Sequence, residues 1–540
     1  STVTDTPTPY LDGGNYAVLN PLATNAGFAI SDANLTYSES GAPNECRPSP
    51  ATIAISSGKW YWEVNTTLVG GGTYSTIIGI RDATITDTTE TKNRINGYGY
   101  ATGGDKLTAS AVASYGSSMS NGDVVGIAYD ADAGEIEFFL NNTSQGVAFT
   151  GITGSYFPVV AFSTSTTSHS ISGSINFGQR PFAYTPPTGF KTLHTGNLPD
   201  VAIENGSEYF NAVLYTGDGT NGRSVTTEFK PDFIWIKNRS AATDNILGNS
   251  MILSNGEPIL LSSNLTNAEF ANGYIGNVSQ WSNTNFTVNG DTRTNANGST
   301  YVAWNWKAGG AAVTNTAGSI TSQVSASPTA GFSVVTFTGN ASGSATVGHG
   351  LGTAPSMVIV KRRDVADGWP LYHSSLGVSK LLELHSTSGE QTSSNYWGSA
   401  ITSTTFGLSA GGSNNRSGSS NVAYCFSEVL GYSSFGSYVG NGNSDGVFVN
   451  LGFRPAFVMV KQSNASGRNW SIWDGKRDTS NVVTNRLLPN GTNADVVADD
   501  LDFLSNGFKI RRTGGDFNAS GGTYIYMAFA ENPFKNSLAR

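Results

Sequence analysis

Three stretches of the chain repeat one set of marker residues at nearly fixed spacing, and that repetition limits the folds available to it. A Pro stands six residues before a Lys, a Phe follows the Lys, and an aromatic lies 18 residues beyond the Phe. The copies read Pro231, Lys237, Phe286, Trp304; then Pro355, Lys361, Phe406, Tyr424; then Pro455, Lys461, Phe508, Tyr526. A Gly preceded by a short apolar strand opens each copy (Gly217, Gly339, Gly440). Fixed marker spacing with loops of unequal length is the signature of a tandem array of one small domain. Each copy places a strongly apolar run before its Lys, Phe233–Ile236, Met357–Val360 and Phe457–Val460, and such runs are expected to be buried on both faces.

Composition agrees with an all-β chain. Only 13% of the residues are charged while Gly reaches 65, and β-branched, aromatic and turn-forming residues abound. The net charge of −9 argues against nucleic acid, which needs clustered Lys and Arg. Lys361-Arg-Arg363, the densest basic group, closes a strand and is followed at once by Asp364. Cys46 and Cys425 fall in different expected domains, so no disulfide is expected between them. No apolar run approaches the roughly 18 residues of a membrane span, and the first residues show no basic start or apolar core of a leader.

The residues divide as follows. Residues 1–15 read as an extended arm, 16–190 as a domain of short alternating strands, and 191–208 as a linker. The first repeat spans 209–309, a Thr/Ser/Ala/Gly linker 310–330, the second repeat 331–430, and the third, with a short tail, 431–540. Gly58-Lys-Trp-Tyr-Trp-Glu-Val64 places Trp60, Trp62 and Val64 on one face of a strand, with Lys59, Tyr61 and Glu63 opposite. The segment from Gly122 to Asn141 reads as a hairpin whose turn takes its positive φ from Gly134. Ser379–Leu384 is the best short helical candidate in a chain with little helical periodicity.

The ordered blocks Gly58-Lys-Trp-Tyr-Trp-Glu-Val, Gly97-Tyr-Gly-Tyr, Gly122-Asp-Val-Val-Gly-Ile, Gly134-Glu-Ile-Glu-Phe-Phe-Leu-Asn, Phe157-Pro-Val-Val and Asn176-Phe-Gly-Gln-Arg-Pro-Phe resemble a SPRY domain. That resemblance implies a two-sheet antiparallel β-sandwich that binds partners through loops at one end, without catalysis. Its loops Val69–Ser75 and Thr102–Ser120 are rich in Ser, Thr and Gly, so no binding residue carries over. The phrases Phe233-Ile-Trp-Ile-Lys-Asn-Arg-Ser240, Gly452-Phe-Arg-Pro-Ala-Phe-Val-Met-Val-Lys461 and Tyr524-Ile-Tyr-Met-Ala-Phe-Ala-Glu-Asn-Pro-Phe-Lys535 resemble a β-rich domain of unknown function that recurs in virion proteins of marine bacteriophages. The expected architecture is therefore a SPRY-type sandwich followed by three tandem β-sandwich-like repeats.

Catalytic and metal chemistry find little support in the residue pattern. The five His are scattered, with no Cys nearby and no His-X3-His spacing, so no metal and no cofactor is expected. No Gly-X-Ser-X-Gly occurs, and Cys425 sits in an apolar closing strand. Asp130, Asp132, Glu135 and Glu137 fall on the hairpin, where carboxylates face solvent. Asp495, Asp499, Asp500 and Asp502 could hold a cation, but lack calcium-loop spacing and read as a solvated acidic turn. His373 follows Trp369-Pro-Leu-Tyr372 where Asp474 follows Trp470-Ser-Ile-Trp473, and both read as caps on turns. Trp281, Tyr396, Trp397, Trp470 and Trp473 stand in loop-like context and are the candidate glycan contacts, since a sugar ring stacks on an aromatic face.

These resemblances imply a structural and receptor-binding component of a phage virion, a tail fibre or similar appendage exposed on the particle and adhering to a bacterial surface polysaccharide. A homotrimer contacting other tail or capsid proteins is expected by analogy with phage fibres, with no nucleic acid and no membrane insertion. A capsid-attached fibre or decoration protein is the alternative in the same class. A polysaccharide-degrading tailspike is the alternative in another class, although the discrete repeats differ from the long β-helix such enzymes commonly use.

Overall fold

In a computed structural model the described residues are 14–41, 44–68, 70–163, 168–271, 273–393, 396–398, 401–410 and 412–533. The expected N-terminal arm lies outside them except for Gly14 and Asn15, and so does the tail after Pro533. Asn15 is tied down by reciprocal bonds with Thr195, its N–H reaching Oγ1 at 2.9 Å and its carbonyl accepting from Thr195 N–H at 2.9 Å. The architecture is nearly all β, as expected, and Gly515–Asn518 is the only α-helix among the described residues. The chain divides into two units between Asp200 and Val201, inside the stretch expected to be a linker.

The first unit is a two-sheet antiparallel sandwich. One sheet runs in the order Ala29–Ser31, Thr36–Gly41, His169–Asn176, Lys59–Leu68, Asp123–Asp130, Glu135–Leu140, Thr143–Phe149. The other runs Cys46–Pro50, Tyr156–Ser163, Thr76–Asp82, Gly97–Ala101, Asp105–Leu107, Val112–Ser114. Aromatic pairs join the sheets: Tyr100 with Phe138 at 5.4 Å, Tyr98 with Phe149 at 5.0 Å. The hairpin turn holds as expected, with Gly134 at φ +68°. The Lys59–Leu68 strand departs from simple alternation, because Tyr61 and Glu63 are buried as well as Trp60 and Trp62. Phe182 stacks edge-on against Tyr61 at 5.0 Å, and Glu63 accepts from the N–H groups of Ala183 and Tyr184. The segment after the last sandwich strand thus covers the face that alternation assigned to solvent.

In the second unit each repeat builds an antiparallel sheet of the same order. The opening strand pairs with the closing strand, which pairs with the Lys-ending strand, which pairs with the next strand. In the first repeat these are Phe210–Thr216, Thr300–Trp306, Phe233–Asn238 and Ile246–Asn249. In the second they are Phe332–Thr338, Ser420–Phe426, Met357–Arg362 and Pro370–His373, and in the third Ser433–Val439, Thr523–Pro533, Phe453–Gln462 and Trp470–Asp474. A smaller layer backs each sheet, such as Arg223–Thr226 with Asn285–Val288, or Ala345–Gly348 with Thr405–Leu408.

Alternation along the central strands explains why both faces are apolar. Ile234, Ile236, Tyr301 and Ala303 point into the core of their own repeat, with Phe286 and Trp281. Phe233, Trp235 and Trp304 alternate with them and are also buried.

Three expectations change. The 310–330 stretch is not a plain linker, since Val313–Asn315 and Ser322–Ser327 extend the second repeat's sheet beside Phe332–Thr338. Lys380–Glu383 is a strand paired with Pro370–His373, because sheet pairing buries both Leu381 and Leu382 and overrides local propensity. The third marker aromatic is displaced by one position. Trp304 pairs with Trp235 and Tyr424 with Ile359, each two residues before the Lys, whereas the residue opposite Met459 is Met527. Tyr526 instead packs on Phe508 at 5.9 Å.

Candidate functional site

The three marker lysines are fully buried, and each joins its own repeat to another. Lys237 Nζ donates to Thr243 O at 2.8 Å and to Thr492 O of the third repeat at 2.9 Å. Lys361 Nζ donates to Asp367 O at 2.9 Å and to Thr266 O of the first repeat at 3.0 Å. Lys461 Nζ donates to Arg468 O at 2.7 Å and to Thr387 O of the second at 3.3 Å. The first repeat thus reaches the third, the second the first, and the third the second, so the array closes on itself within one chain. Burial pushes all three amines down to about 8.

Backbone bonds repeat the same cycle. Thr243, Asp367 and Arg468 N–H groups donate to the same Thr492, Thr266 and Thr387 carbonyls. Two positions after each Lys, the carbonyls of Arg239, Arg363 and Ser463 accept from Asp495, Glu269 and Glu390 N–H. Arg239 and Arg363 also pair with Asp495 and Glu269 side chains, at 2.8 and 2.7 Å.

A second cycle uses one register position on the strand after the Lys strand, occupied by Asn249, His373 and Asp474. Asn249 Nδ2 donates to Tyr424 Oη at 3.3 Å, His373 Nε2–H to Tyr526 O at 3.1 Å, and Trp304 Nε1 to Asp474 Oδ2 at 3.0 Å. His373 and Asp474 also cap the following turns as expected, accepting from Ser375 N–H and from Lys476 and Arg477 N–H. Between the sheets the rings of all three repeats meet: Phe233 lies 4.3 Å from Tyr424, Phe210 5.1 Å from Phe529, and Trp306 6.3 Å from Phe426. The lysines, the capping residues and these rings therefore hold the array together.

The structure places the candidate glycan contacts as follows. Trp470 and Trp473 lie on the strand Trp470–Asp474, not in a loop. Trp470 Nε1 donates to Glu383 O of the second repeat at 3.1 Å, matching Trp369 Nε1 on Leu265 O of the first at 2.8 Å. Asn245 takes that role in the first repeat, reaching Gly491 O at 3.0 Å. Trp473 Nε1 donates to Asp500 Oδ2 at 3.1 Å, and Trp397 Nε1 to Lys380 O at 3.1 Å. Trp281 closes a 3-10 turn and donates to Gly276 O at 3.2 Å. All four indoles are buried, so protein covers the faces a sugar would need. Tyr396 is half-buried beside Trp397, ring centroids 5.4 Å apart.

The acidic group is not a solvated turn. Asp499, Asp500 and Asp502 lie on the strand Val496–Leu504, with Asp500 and Asp502 buried. Asp500 faces Arg486 and Arg512, Asp502 pairs with Arg511 at 2.5 Å, and Asp495 pairs with Arg239 and Arg477. Burial pushes the Asp500 carboxyl up against the opposing pull of Arg486. No metal-binding group of His, Cys, Asp and Glu occurs among the described residues. Both cysteines are buried free thiols, pushed up by burial.

A cleft of about 470 Å³ opens on the first unit at the Asp82 end of the six-stranded sheet. Its floor is Tyr98 and Tyr156, ring centroids 5.6 Å apart, with Ile85 beside them. Asp82, Asn96, Thr108 and Ser110 supply its polar wall. Neighbouring Arg81 holds the adjoining loop, pairing with buried Glu90 at 2.5 Å and donating to Ile85 O at 3.0 Å. Residue patterning did not single out this cleft; the signal in reach was the Gly97-Tyr-Gly-Tyr phrase that carries Tyr98.

Comparison with known proteins adds the family context. Residues 59–180 match the SPRY domain. The crystal structure of the SPRY domain of human HERC1 aligns at 16% identity over 30% of this chain and 99% of its own, TM-score 0.24. The TRIM65 PSpry domain aligns at 14% identity over 29% and 89%, TM-score 0.24. The E3 ubiquitin-protein ligase RKP of Arabidopsis thaliana is 38% identical over 84 residues, which is 15% of this chain and 6% of that protein. The chain thus matches only a small part of that relative's length. Residues 205–533, all three interlocked repeats, match the domain of unknown function DUF7483. With a SPRY domain preceding that match and the match itself spanning more than half of the sequence, the chain belongs to the DUF7483 family.

Proposed function

We propose that the protein is a non-catalytic adhesion component of a phage particle, a tail fibre or similar appendage that holds a bacterial surface polysaccharide. The observation that carries this reading is the closed cycle of repeats, in which three lysines and three indole or amide side chains bind carbonyls of another repeat. Such a locked array suits a rigid carrier that displays variable loops, and a low-charge surface suits a ligand met by hydrogen bonds and stacking. Many copies on one particle would turn weak contacts into firm attachment by avidity. Because the repeats satisfy one another within one chain, a homotrimer would have to use other surfaces.

The test is adhesion of the fluorescently labelled chain to bacteria before and after periodate oxidation of surface sugars. Loss of adhesion after periodate, with no release of reducing ends from isolated polysaccharide, is the expected result. Adhesion that survives periodate but is lost after protease treatment of the cells would refute the glycan partner. Release of reducing ends would favour the tailspike reading.

A second reading takes the SPRY domain as a grip for a protein partner, as the similarity to a plant E3 ubiquitin-protein ligase over 84 residues suggests. Protease-sensitive adhesion would favour it.

A further inference from the structure

We infer that the cleft between Tyr98, Tyr156 and Asp82 is a binding site for a neutral saccharide; this rests on the adhesion reading above and assigns it a location. The cleft lies at the Asp82 end of the sheet, where Thr108, Ala109 and Ser110, the turn between the strands Asp105–Leu107 and Val112–Ser114, complete its lining. In the register of this sheet Tyr156 pairs with Asp82 and Phe162 with Thr76. The Val69–Ser75 loop meets the start of the Thr102–Ser120 segment at the Thr76 end, where Gly103 N–H donates to Thr73 O at 2.7 Å and Thr76 N–H to Thr102 Oγ1 at 2.8 Å. Six residues of strand separate the two ends, about 20 Å at the usual rise. The cleft therefore lies a strand's length from the junction of Val69–Ser75 with Thr102 and Gly103, and takes only the turn Thr108–Ser110 from the longer loop segment.

Its chemistry selects the ligand. A cleft of about 470 Å³ admits one or two sugar rings. Tyr98 is half-buried and is braced by Phe149 at 5.0 Å and Tyr156 at 5.6 Å, so its orientation is fixed before a ligand arrives. A braced aromatic ring that lines a cleft suits the C–H face of a pyranose. On the wall, Asp82 Oδ1 accepts from Thr84 N–H and Oγ1 at 2.8 and 2.7 Å, which anchors the carboxylate and leaves Oδ2 for a ligand. Asn96 offers both an acceptor and donors, while Thr108 and Ser110 add hydroxyls at the mouth. This set matches vicinal hydroxyls.

Charge narrows the class. The lining holds one carboxylate and no cation, which disfavours uronic acids, sialic acids and phosphorylated sugars. Two nearby cations are engaged elsewhere: Arg81 on Glu90 and Ile85 O, and Lys106 at Ala148 O at 2.6 Å and over the Phe149 ring. Uncharged hexoses and N-acetylhexosamines fit the site.

The experiment is saturation-transfer NMR and calorimetry of the full chain with methyl glycosides of neutral hexoses and N-acetylhexosamines, alongside glucuronate and sialic acid. The variants are Tyr98→Ala, Asp82→Asn and Ala109→Trp; the last stands on the exposed rim and fills the mouth without touching the fold. At least one neutral glycoside should bind, the acidic sugars should not, and each variant should weaken binding at least about tenfold, the loss of one charge-assisted hydrogen bond or stacking face. If wild type and the Ala109→Trp variant bind the same glycoside equally, the cleft assignment fails while glycan adhesion stands. If no neutral glycoside binds but cells are held in a periodate-sensitive way, the cleft assignment fails alone. If neither occurs, both fail. Selection of peptides that Ala109→Trp abolishes would also overturn the saccharide assignment.

Discussion

Asp474→Ala would test whether the capping cycle carries the stability of the repeat array. The carboxylate is fully enclosed and accepts four hydrogen bonds: Arg477 Nε at 2.6 Å, Trp304 Nε1 at 3.0 Å, and the Lys476 and Arg477 N–H groups at 3.1 and 2.9 Å. Burial opposes the charge of Arg477, yet Asp474 and Asp495 hold its guanidinium above the ordinary arginine value. Removing one partner of a buried ion pair costs about 3–5 kcal/mol, because the other charge stays behind unpaired. Asp495 remains on Arg477 Nη1 at 2.9 Å and moderates that loss. The orphaned Trp304 indole adds about 1–3 kcal/mol, not fully additively. A total near 4 kcal/mol is expected, which lowers the melting temperature of a unit this size by roughly 6 °C.

Equilibrium denaturation and calorimetry of wild type, Asp474→Ala, Trp304→Phe and the double variant read this directly. The cycle should give a coupling of about 1.5–3 kcal/mol, that of a hydrogen bond to a charged group joining the first and third repeats. A loss below about 1 kcal/mol for Asp474→Ala, or no coupling to Trp304, would refute the reasoning.

Other outcomes follow from the same buried groups. Burial pushes His373 down to about 4, so the unfolded chain takes up this proton first; its contribution is intact above about pH 6.5 and lost as pH falls toward 4. Acid denaturation of His373→Gln should therefore lack part of the wild-type slope between those values. For Lys361, pushed by burial down to about 8, the unfolded state holds more protons up to the ordinary lysine value, so wild-type stability should rise from pH 8 toward 9.5. Lys361→Met should show a smaller rise in denaturant midpoint over that window. Cys46 and Cys425 are buried and pushed up by burial, so a thiol reagent should label neither in the native state and both after unfolding. Labelling of either at the native-state rate of a free thiol would contradict the burial.

The candidate site was less legible than the fold. Loop-like sequence context marked Trp281, Trp397, Trp470 and Trp473 for display, but indoles are large enough that long-range packing decides their fate, and all four are covered. The acidic stretch Asp495–Asp502 looked solvated because its arginine partners Arg239, Arg477, Arg486, Arg511 and Arg512 lie elsewhere in the chain. The cleft joins Asp82, Tyr98, Ser110 and Tyr156, which only strand pairing brings together.

Marker spacing was enough to define three copies of one β unit, their central strands buried on both faces, and the SPRY order before them. Those properties depend on local patterning: alternation, apolar runs and turn residues act over a few positions. Sequence alone did not say what lies against the second apolar face of each central strand. The tertiary structure settled that, placing each Lys on carbonyls of another repeat and the rings of all three together. An apolar face records that it must be covered but not by what; its partner, in another repeat of the chain, is chosen when the chain closes.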